Sequence, residues 1–157
     1  MASDGILPSG GSICCSFPDL LFLPELVFGG LVWILVACTY INPNNPQAYV
    51  MAVSLFCFIF TFIWMSIFSC GAHGSRSSCA GADVLYHGFA ALLYLSASVL
   101  LAFTTVVIGF IFNNSPILTQ EYYKFYRLDI SAVVFSFIAT LLYVIHTIFS
   151  AIRWKSF

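Results

Sequence analysis

Four long runs of apolar residues constrain this chain more than any other feature of its sequence. They cover residues 20–41, 48–70, 84–112 and 130–152. The hydrocarbon core of a bilayer is about 30 Å thick and needs about 20 apolar residues of helix to cross it. The runs are apolar all round, whereas the strands of a membrane barrel alternate with a period of two. Because a membrane span must satisfy its own backbone hydrogen bonds, the sequence predicts four transmembrane helices.

The composition excludes the main soluble classes of protein. Hydrophobic residues make up 61% of the 157 residues and charged residues only 7%, against about 25% charged residues in a typical soluble domain. A small globule cannot bury so much apolar surface. The net charge of −1 leaves no basic surface for nucleic acid. We therefore expect an all-α fold, a transmembrane four-helix bundle with short loops, and no nucleic-acid partner.

The segments outside the spans are too short for a further domain. They are predicted to be a flexible amino-terminal tail, three connections and a carboxyl-terminal tail, at residues 1–19, 42–47, 71–83, 113–129 and 153–157. The sequence contains no nucleophile elbow and no Gly-rich phosphate loop or HExxH motif. The cysteines also lack the spacing of a zinc site. The sequence thus predicts no enzyme, and no catalytic, metal-binding or cofactor-binding residues.

The predicted orientation places both tails in the cytosol. Four spans put both ends on one side of the membrane, and Arg153 and Lys155 directly after the last span favour the cytosolic side. The adjacent Cys14 and Cys15 lie on that side and are candidates for S-acylation, the alternative being two unmodified thiols. On the opposite side, Asn113 begins a glycosylation pattern that abuts the end of the third span.

Three ionisable residues fall inside the apolar runs, at a similar depth near the leaflet that faces the tails. They are Glu25, His87 and His146. Intramembrane ionisable groups are costly, and each is a functional hypothesis. We predict that Glu25 pairs with His87 or His146 and fixes the helix register; the alternative is a Glu25 side chain that reaches to the interface. The other half of the bilayer is predicted to hold no ionisable group, which disfavours a transporter or channel subunit.

Two sequence features suggest lipid recognition. Leu118, Tyr122 and Lys124 fit a short cholesterol-contact pattern, which is a weak indicator by itself. Helices of 22–23 residues would cover about 33–35 Å. That length suits a sterol- and sphingolipid-rich membrane of about 32–33 Å better than a thinner early-secretory one.

Several segments resemble the myelin and lymphocyte protein family, a group of MARVEL-domain tetraspan proteolipids. The first is FGGLVWILVA at residues 28–37, and the longest runs from residue 132 to residue 144. Others are YVM at residues 49–51, YLSASVL at residues 94–100 and RWKS at residues 153–156. The chain ends in Phe157, where the family pattern ends in serine.

The resemblance implies a MARVEL-like, raft-associated proteolipid with both ends in the cytosol. Such a protein organises cholesterol- and sphingolipid-rich membrane and supports apical or myelin-directed vesicle trafficking. It is expected in the plasma membrane and in post-Golgi or endosomal vesicles, with membrane lipids and cargo proteins as partners; a homo-oligomer stays open. The resemblance also implies a sorting signal at Arg153, Trp154, Lys155 and Ser156. The alternative from another class is a structural adhesion component of myelin or junctional membrane.

Overall fold

The structure, a computed structural model, describes residues 7–39, 46–114 and 120–157. Within these ranges the chain is helical and contains no strand. Two short 3-10 helices, Gly10–Cys15 and Asp19–Leu21, precede the first of four α-helices. The α-helices are α1 (Phe22–Ala37), α2 (Pro46–Ser69), α3 (Ser77–Asn114) and α4 (Gln120–Lys155). The first candidate membrane span consists of the Asp19–Leu21 turn and α1, and the other three lie within α2, α3 and α4. All four are long and apolar enough to cross a membrane, so the predicted fold class is confirmed.

The four helices close into a ring. Helix α1 packs against α2 and α4, and α3 packs against the same two helices. The largest apolar side chains buried between them include Tyr94, Leu101 and Tyr143. Large apolar side chains also cover the outside, where Leu85, Phe103 and others are more exposed than buried. An exterior of this kind is soluble in lipid and not in water.

The helix limits differ from the limits of the predicted spans. Helix α3 begins at Ser77 and not at residue 84, and α4 begins at Gln120 and not at residue 130. Polar residues end an apolar run, but they do not end a helix, because each added residue still gains a backbone hydrogen bond. Helix α1 is shorter than its predicted span and closes where the Thr39 hydroxyl donates to the carbonyl of Val36. The last two residues of that predicted span lie outside the described residues.

The amino-terminal segment packs on the bundle, in contrast to the predicted flexible tail. Leu7 and Ile13 are buried against Phe22, Phe68 and Ala80. A backbone contact adds to this packing, since the carbonyl of Pro8 accepts a hydrogen bond from His73 Nε2 at 3.0 Å. Two isolated apolar side chains carry no periodic signal, so the sequence did not indicate that this segment fills a gap at the end of the bundle.

Close approach of the helices depends on small residues. A Cβ atom added at Gly29 would lie 2.9 Å from the Tyr94 hydroxyl oxygen. The Tyr94 ring is buried and stacks on Tyr143 with 5.3 Å between the ring centroids, so it has little room to move. One turn further along α3, the Ser98 hydroxyl lies 3.2 Å from the Thr140 hydroxyl of α4. Small side chains of this kind let membrane helices pack closely.

We predict that Gly29→Ala destabilises the bundle by about 1–3 kcal/mol, because the added methyl group overpacks a rigid contact. The measurement is thermal unfolding of the purified chain in detergent. Gly88→Ala is the matched control: it is also a helical glycine, but its Cβ would lie at an ordinary 3.5 Å from Thr147. Equal unfolding temperatures for the two variants would contradict the close-packing explanation.

Candidate functional site

The three predicted intramembrane residues meet at one end of the bundle. Glu25 lies on α1, His87 on α3 and His146 on α4, and all three side chains are 0% exposed. His146 Nδ1 lies 2.9 Å from Glu25 Oε1, and His87 Nε2 lies 3.4 Å from Glu25 Oε2. The structure thus places Glu25 against both histidines. A Glu25 side chain that reaches to the interface, the sequence-based alternative, is wrong.

The two imidazole rings lie face to face. The ring centroids of His87 and His146 are 3.7 Å apart, with an interplanar angle of 28°. Phe22 packs against both rings, with centroid distances of 5.4 Å and 4.8 Å. The hydrocarbon packing excludes water from one side of the pair.

Asp83 is a member of this cluster that the sequence analysis missed. Its buried carboxylate accepts hydrogen bonds from the Trp64 indole and the Ser150 hydroxyl, both at 2.5 Å. The same carboxylate lies 3.1 Å from His87 Nδ1 and 3.1 Å from Arg153 Nη2. The sequence analysis placed Asp83 at the end of a connection. Its spacing of four residues from His87, on a helix extended by one turn, is the signal that could have found it.

Arg153 joins the cluster from the end of α4. Its Nη1 lies 2.5 Å from Asp19 Oδ2, and its side chain is only 11% exposed. Asp19 itself is buried, in the 3-10 turn before α1. The guanidinium also lies over the Phe68 ring, 5.6 Å from the centroid. Arg153 therefore connects the beginning of the first span to α3 and α4.

The residues of the predicted sorting signal differ in their exposure. Arg153 points into the cluster, whereas Trp154, Lys155 and Ser156 are exposed. Trp154 lies across α3 close to Gly81, where an added Cβ would be 3.1 Å from the indole ring. The Ser156 hydroxyl donates to the carbonyl of Arg153 at 2.6 Å. Three of the four predicted signal residues are thus accessible in this arrangement.

The other predicted site residues lie away from the cluster. Cys14 and Cys15 are exposed free thiols in the first 3-10 helix, so they are accessible for acylation. Tyr122 and Lys124 are exposed near the beginning of α4, and Leu118 lies outside the described residues. Asn113 is exposed near the end of α3, but the serine of its glycosylation pattern also lies outside them.

The opposite end of the bundle also buries a carboxylate, that of Asp129, at a position that the sequence analysis assigned to a connection. Both carboxylate oxygens of Asp129 lie within hydrogen-bond distance of Gln47 Nε2, at 2.8 Å and 2.7 Å. Because α4 begins before residue 130, Asp129 occupies an inward-facing helical position. Between the two ends, the Thr61 hydroxyl contacts those of Tyr86 and Tyr143 at 2.8 Å and 2.6 Å. These polar groups satisfy one another.

Fold and cluster together define a multi-pass membrane protein with an apolar exterior and polar clusters buried between its helices. Residues 14–149 match the MARVEL family model, which describes a membrane-associating domain. The chain is 50% identical to the myelin and lymphocyte protein of Canis lupus familiaris over 151 residues, which are 96% of this chain and 92% of that relative. It therefore belongs to the myelin and lymphocyte protein family, as the sequence resemblance predicted.

Two further relatives have the same name and similar coverage. The myelin and lymphocyte protein of Homo sapiens is 49% identical over 150 residues, covering 96% of this chain and 92% of the relative. That of Bos taurus is 46% identical over 159 residues, covering 99% and 97%. These names do not denote an enzyme. No solved structure matches the chain.

We predict that Arg153→Gln destabilises the folded chain by about 3 kcal/mol, because it leaves the buried carboxylates of Asp19 and Asp83 without their cation. Chemical or thermal unfolding in detergent measures the effect. Lys155→Gln is the matched control, since it removes an exposed cation two residues away and should change stability by less than about 0.5 kcal/mol. A loss of stability as large in the control as in Arg153→Gln would contradict the buried ion pair.

Proposed function

We propose that this protein organises cholesterol- and sphingolipid-rich membrane and in this way supports apical or myelin-directed vesicle trafficking. Its site of action is then the plasma membrane and the post-Golgi or endosomal vesicles that supply it, with both termini in the cytosol. On this proposal the chain catalyses no reaction. Its working surface is the outer face of the bundle, and its partners are membrane lipids and the cargo proteins that collect in the same membrane.

The observation that carries the proposal is the length of the exposed apolar band. On α3 the exposed large apolar residues extend from Leu85 to Ile111. On α4, apart from Tyr122, Tyr123 and Trp154 near its ends, they extend from Ile130 to Ile152. At 1.5 Å per residue these bands are about 39 Å and 33 Å long. A typical tilt of about 20° reduces them to about 37 Å and 31 Å across the membrane, nearer to a plasma membrane of about 32–33 Å than to an endoplasmic reticulum membrane of about 27 Å.

Of the other two helices, α2 is long enough for the same membrane thickness and α1 is shorter. Helix α2 has 24 residues and no charged one, so it is about 36 Å long. Helix α1 has 16 residues and is about 24 Å long, and the adjoining 3-10 turn of three residues adds about 6 Å. The first span is therefore shorter than the predicted 33–35 Å. The preference for thick membrane rests on the other three helices.

Both ends of the bundle offer groups suited to the membrane surface. Beside the tails, exposed Trp154 and the accessible thiols of Cys14 and Cys15 support an interfacial anchor that acylation would strengthen. At the opposite end, α4 carries an open cleft of about 420 Å³ that would suit a lipid headgroup. Its lining combines basic, aromatic and hydroxyl side chains: Gln120, Tyr123, Lys124, Arg127, Leu128 and Ser131.

We predict that the reconstituted chain is enriched in the sterol- and sphingolipid-rich phase of giant vesicles with two coexisting liquid phases. The double variant Phe110→Asp with Ile111→Asp shortens the exposed band of α3 by about 6 Å. Mismatch costs fractions of a kcal/mol per ångström, so the partition coefficient should fall roughly two- to fivefold. Phe110→Leu with Ile111→Leu is the matched control and should partition like the wild type.

Depletion from polarised epithelial cells separates the proposal from the adhesion alternative. Missorting of apical cargo together with loss of detergent-insoluble membrane would support a lipid organiser. Loss of membrane apposition with normal cargo sorting would contradict it and favour adhesion. Equal partitioning of wild type and the aspartate variant between the two vesicle phases would also contradict the proposed role of the apolar band.

A further inference from the structure

We propose that Glu25, His87 and His146 form a binding site for a single divalent transition-metal ion, with Zn²⁺ as the ion that the donor set suits best. One donor atom from each of these three residues can be chosen so that all lie within 4.8 Å of one another. The residues come from α1, α3 and α4, so a bound ion would connect three helices. This inference is independent of the proposed lipid function.

The donor atoms lack hydrogen-bond partners, although His146 Nε2 lies 3.9 Å from Asp83 Oδ2. Glu25 Oε2, His87 Nε2 and His146 Nε2 are buried, and none of them has a hydrogen-bond partner among the described residues. Buried polar atoms are normally paired, and each exception needs an explanation. Three such atoms in one cluster share a single explanation if all of them face the same ion.

The hydrogen bonding of His87 indicates which of its ring nitrogens carries the proton. Its Nδ1 lies 2.8 Å from the backbone carbonyl oxygen of Asp83, which can only accept, so Nδ1 carries the proton. In the neutral ring, Nε2 then presents a lone pair to Glu25 Oε2 at 3.4 Å. Two electron-rich atoms face each other there, and a cation between them would turn repulsion into attraction. Metal-binding histidines are typically oriented in this way, through the other ring nitrogen.

The distance between these two atoms suits zinc. Ligands at about 2.0–2.1 Å from a tetrahedral Zn²⁺ ion lie about 3.3 Å from each other, close to the observed 3.4 Å. Two imidazoles and one carboxylate are a known zinc donor set, with a fourth position left for water. Calcium and magnesium prefer sites made only of oxygen atoms. The mixed nitrogen and oxygen donors therefore favour Zn²⁺.

The cluster carries a net negative charge when both histidines are neutral. In the described part of the chain, the buried carboxylates of Asp19, Glu25 and Asp83 contact one guanidinium, that of Arg153, and the two histidines. With neutral histidines this leaves two negative charges uncompensated, which is costly inside a bundle. Protonation of both rings would put two positive charges on rings stacked at 3.7 Å. One divalent cation balances the charge without that repulsion.

The surrounding side chains would support the ligands. Asp83 lies 3.1 Å from His87 Nδ1, which gives the carboxylate–histidine arrangement typical of zinc sites. Trp64 and Ser150 in turn donate hydrogen bonds to Asp83, so the outer carboxylate is held in place.

His73 shows what a histidine without this role looks like in the same protein. It is also buried, but both of its ring nitrogens are paired. Nδ1 accepts a hydrogen bond from the backbone of Ser75 at 3.0 Å, and Nε2 then donates to the carbonyl of Pro8 at 3.0 Å. His73→Gln is therefore the matched control for changes at His87 and His146.

The test uses the full chain, purified in detergent, stripped with a chelator, with its accessible thiols alkylated. After incubation with Zn²⁺ alone and removal of the excess, bound metal is measured by elemental mass spectrometry. We expect one zinc per chain in the wild type and in His73→Gln, and at least a tenfold lower occupancy in His87→Gln and His146→Gln. Co²⁺ as a second probe should give the visible bands of a tetrahedral nitrogen and oxygen site without thiolate charge-transfer bands.

Three results would each overturn the proposal. One is a wild-type chain that retains no zinc after alkylation, a result that does not depend on whether any variant folds. The second is equal zinc retention in the wild type and in both histidine variants, and the third is a Co²⁺ spectrum with thiolate bands. Circular dichroism of each variant checks the fold. Vesicle partitioning is scored separately, so failure of the metal site and failure of the lipid proposal can be distinguished.

Discussion

The buried cluster of Glu25 with two histidines connects three helices at one end of the bundle. In a bilayer, apolar side chains gain little by leaving lipid for the protein interior, so the hydrophobic effect does not drive helices together. Polar groups, by contrast, have no partner in the hydrocarbon core except other polar groups. Glu25, on the shortest helix, finds its partners on α3 and α4. These contacts lie at one level of the bundle and link α1 to the other two helices.

The same physics explains why the interior is more polar than the exterior. Carboxylates, histidines and hydroxyls are enclosed, whereas Val27, Leu85 and Phe110 are largely exposed. Many of the buried hydroxyls donate to carbonyls of their own helix, as Ser54 does to Val50 and Thr105 to Leu101. They add no charge and little bulk, so helices can pack closely around them. Specific contacts are then concentrated at the two ends, around Glu25 and around the pair formed by Gln47 and Asp129.

Part of this structure could be predicted from the sequence, because the position of a residue within an apolar run indicates its depth in the membrane. Long apolar runs predict four helices, and the positions of Glu25, His87 and His146 within those runs predict a common level in the membrane. The direction in which a side chain faces around the helix axis is harder to predict, because both faces of each helix are apolar. The sequence analysis therefore left open which histidine would pair with Glu25, and the structure shows contacts with both.

The misses share one physical cause. Asp19, Asp83, Asp129 and Arg153 lie at the ends of apolar runs, where polarity looks like the start of a loop. The helices or turns continue through all four positions, and their side chains turn inward. A sequence motif describes one stretch of chain, so it cannot detect a cluster whose members come from three separate helices. Such a cluster can be recognised only in the folded structure.

The buried position of Arg153 affects how the end of the chain can be recognised. Its guanidinium is bound to Asp19 and Asp83, which ties the carboxyl-terminal end of α4 to the entry of the first span. A partner that needed this guanidinium would have to replace both carboxylates, and that replacement would loosen the bundle. Recognition that leaves the fold intact must instead use the exposed indole of Trp154 and its polar neighbours Lys155 and Ser156. Arg153 then contributes to such recognition indirectly, by holding the helix end that presents them.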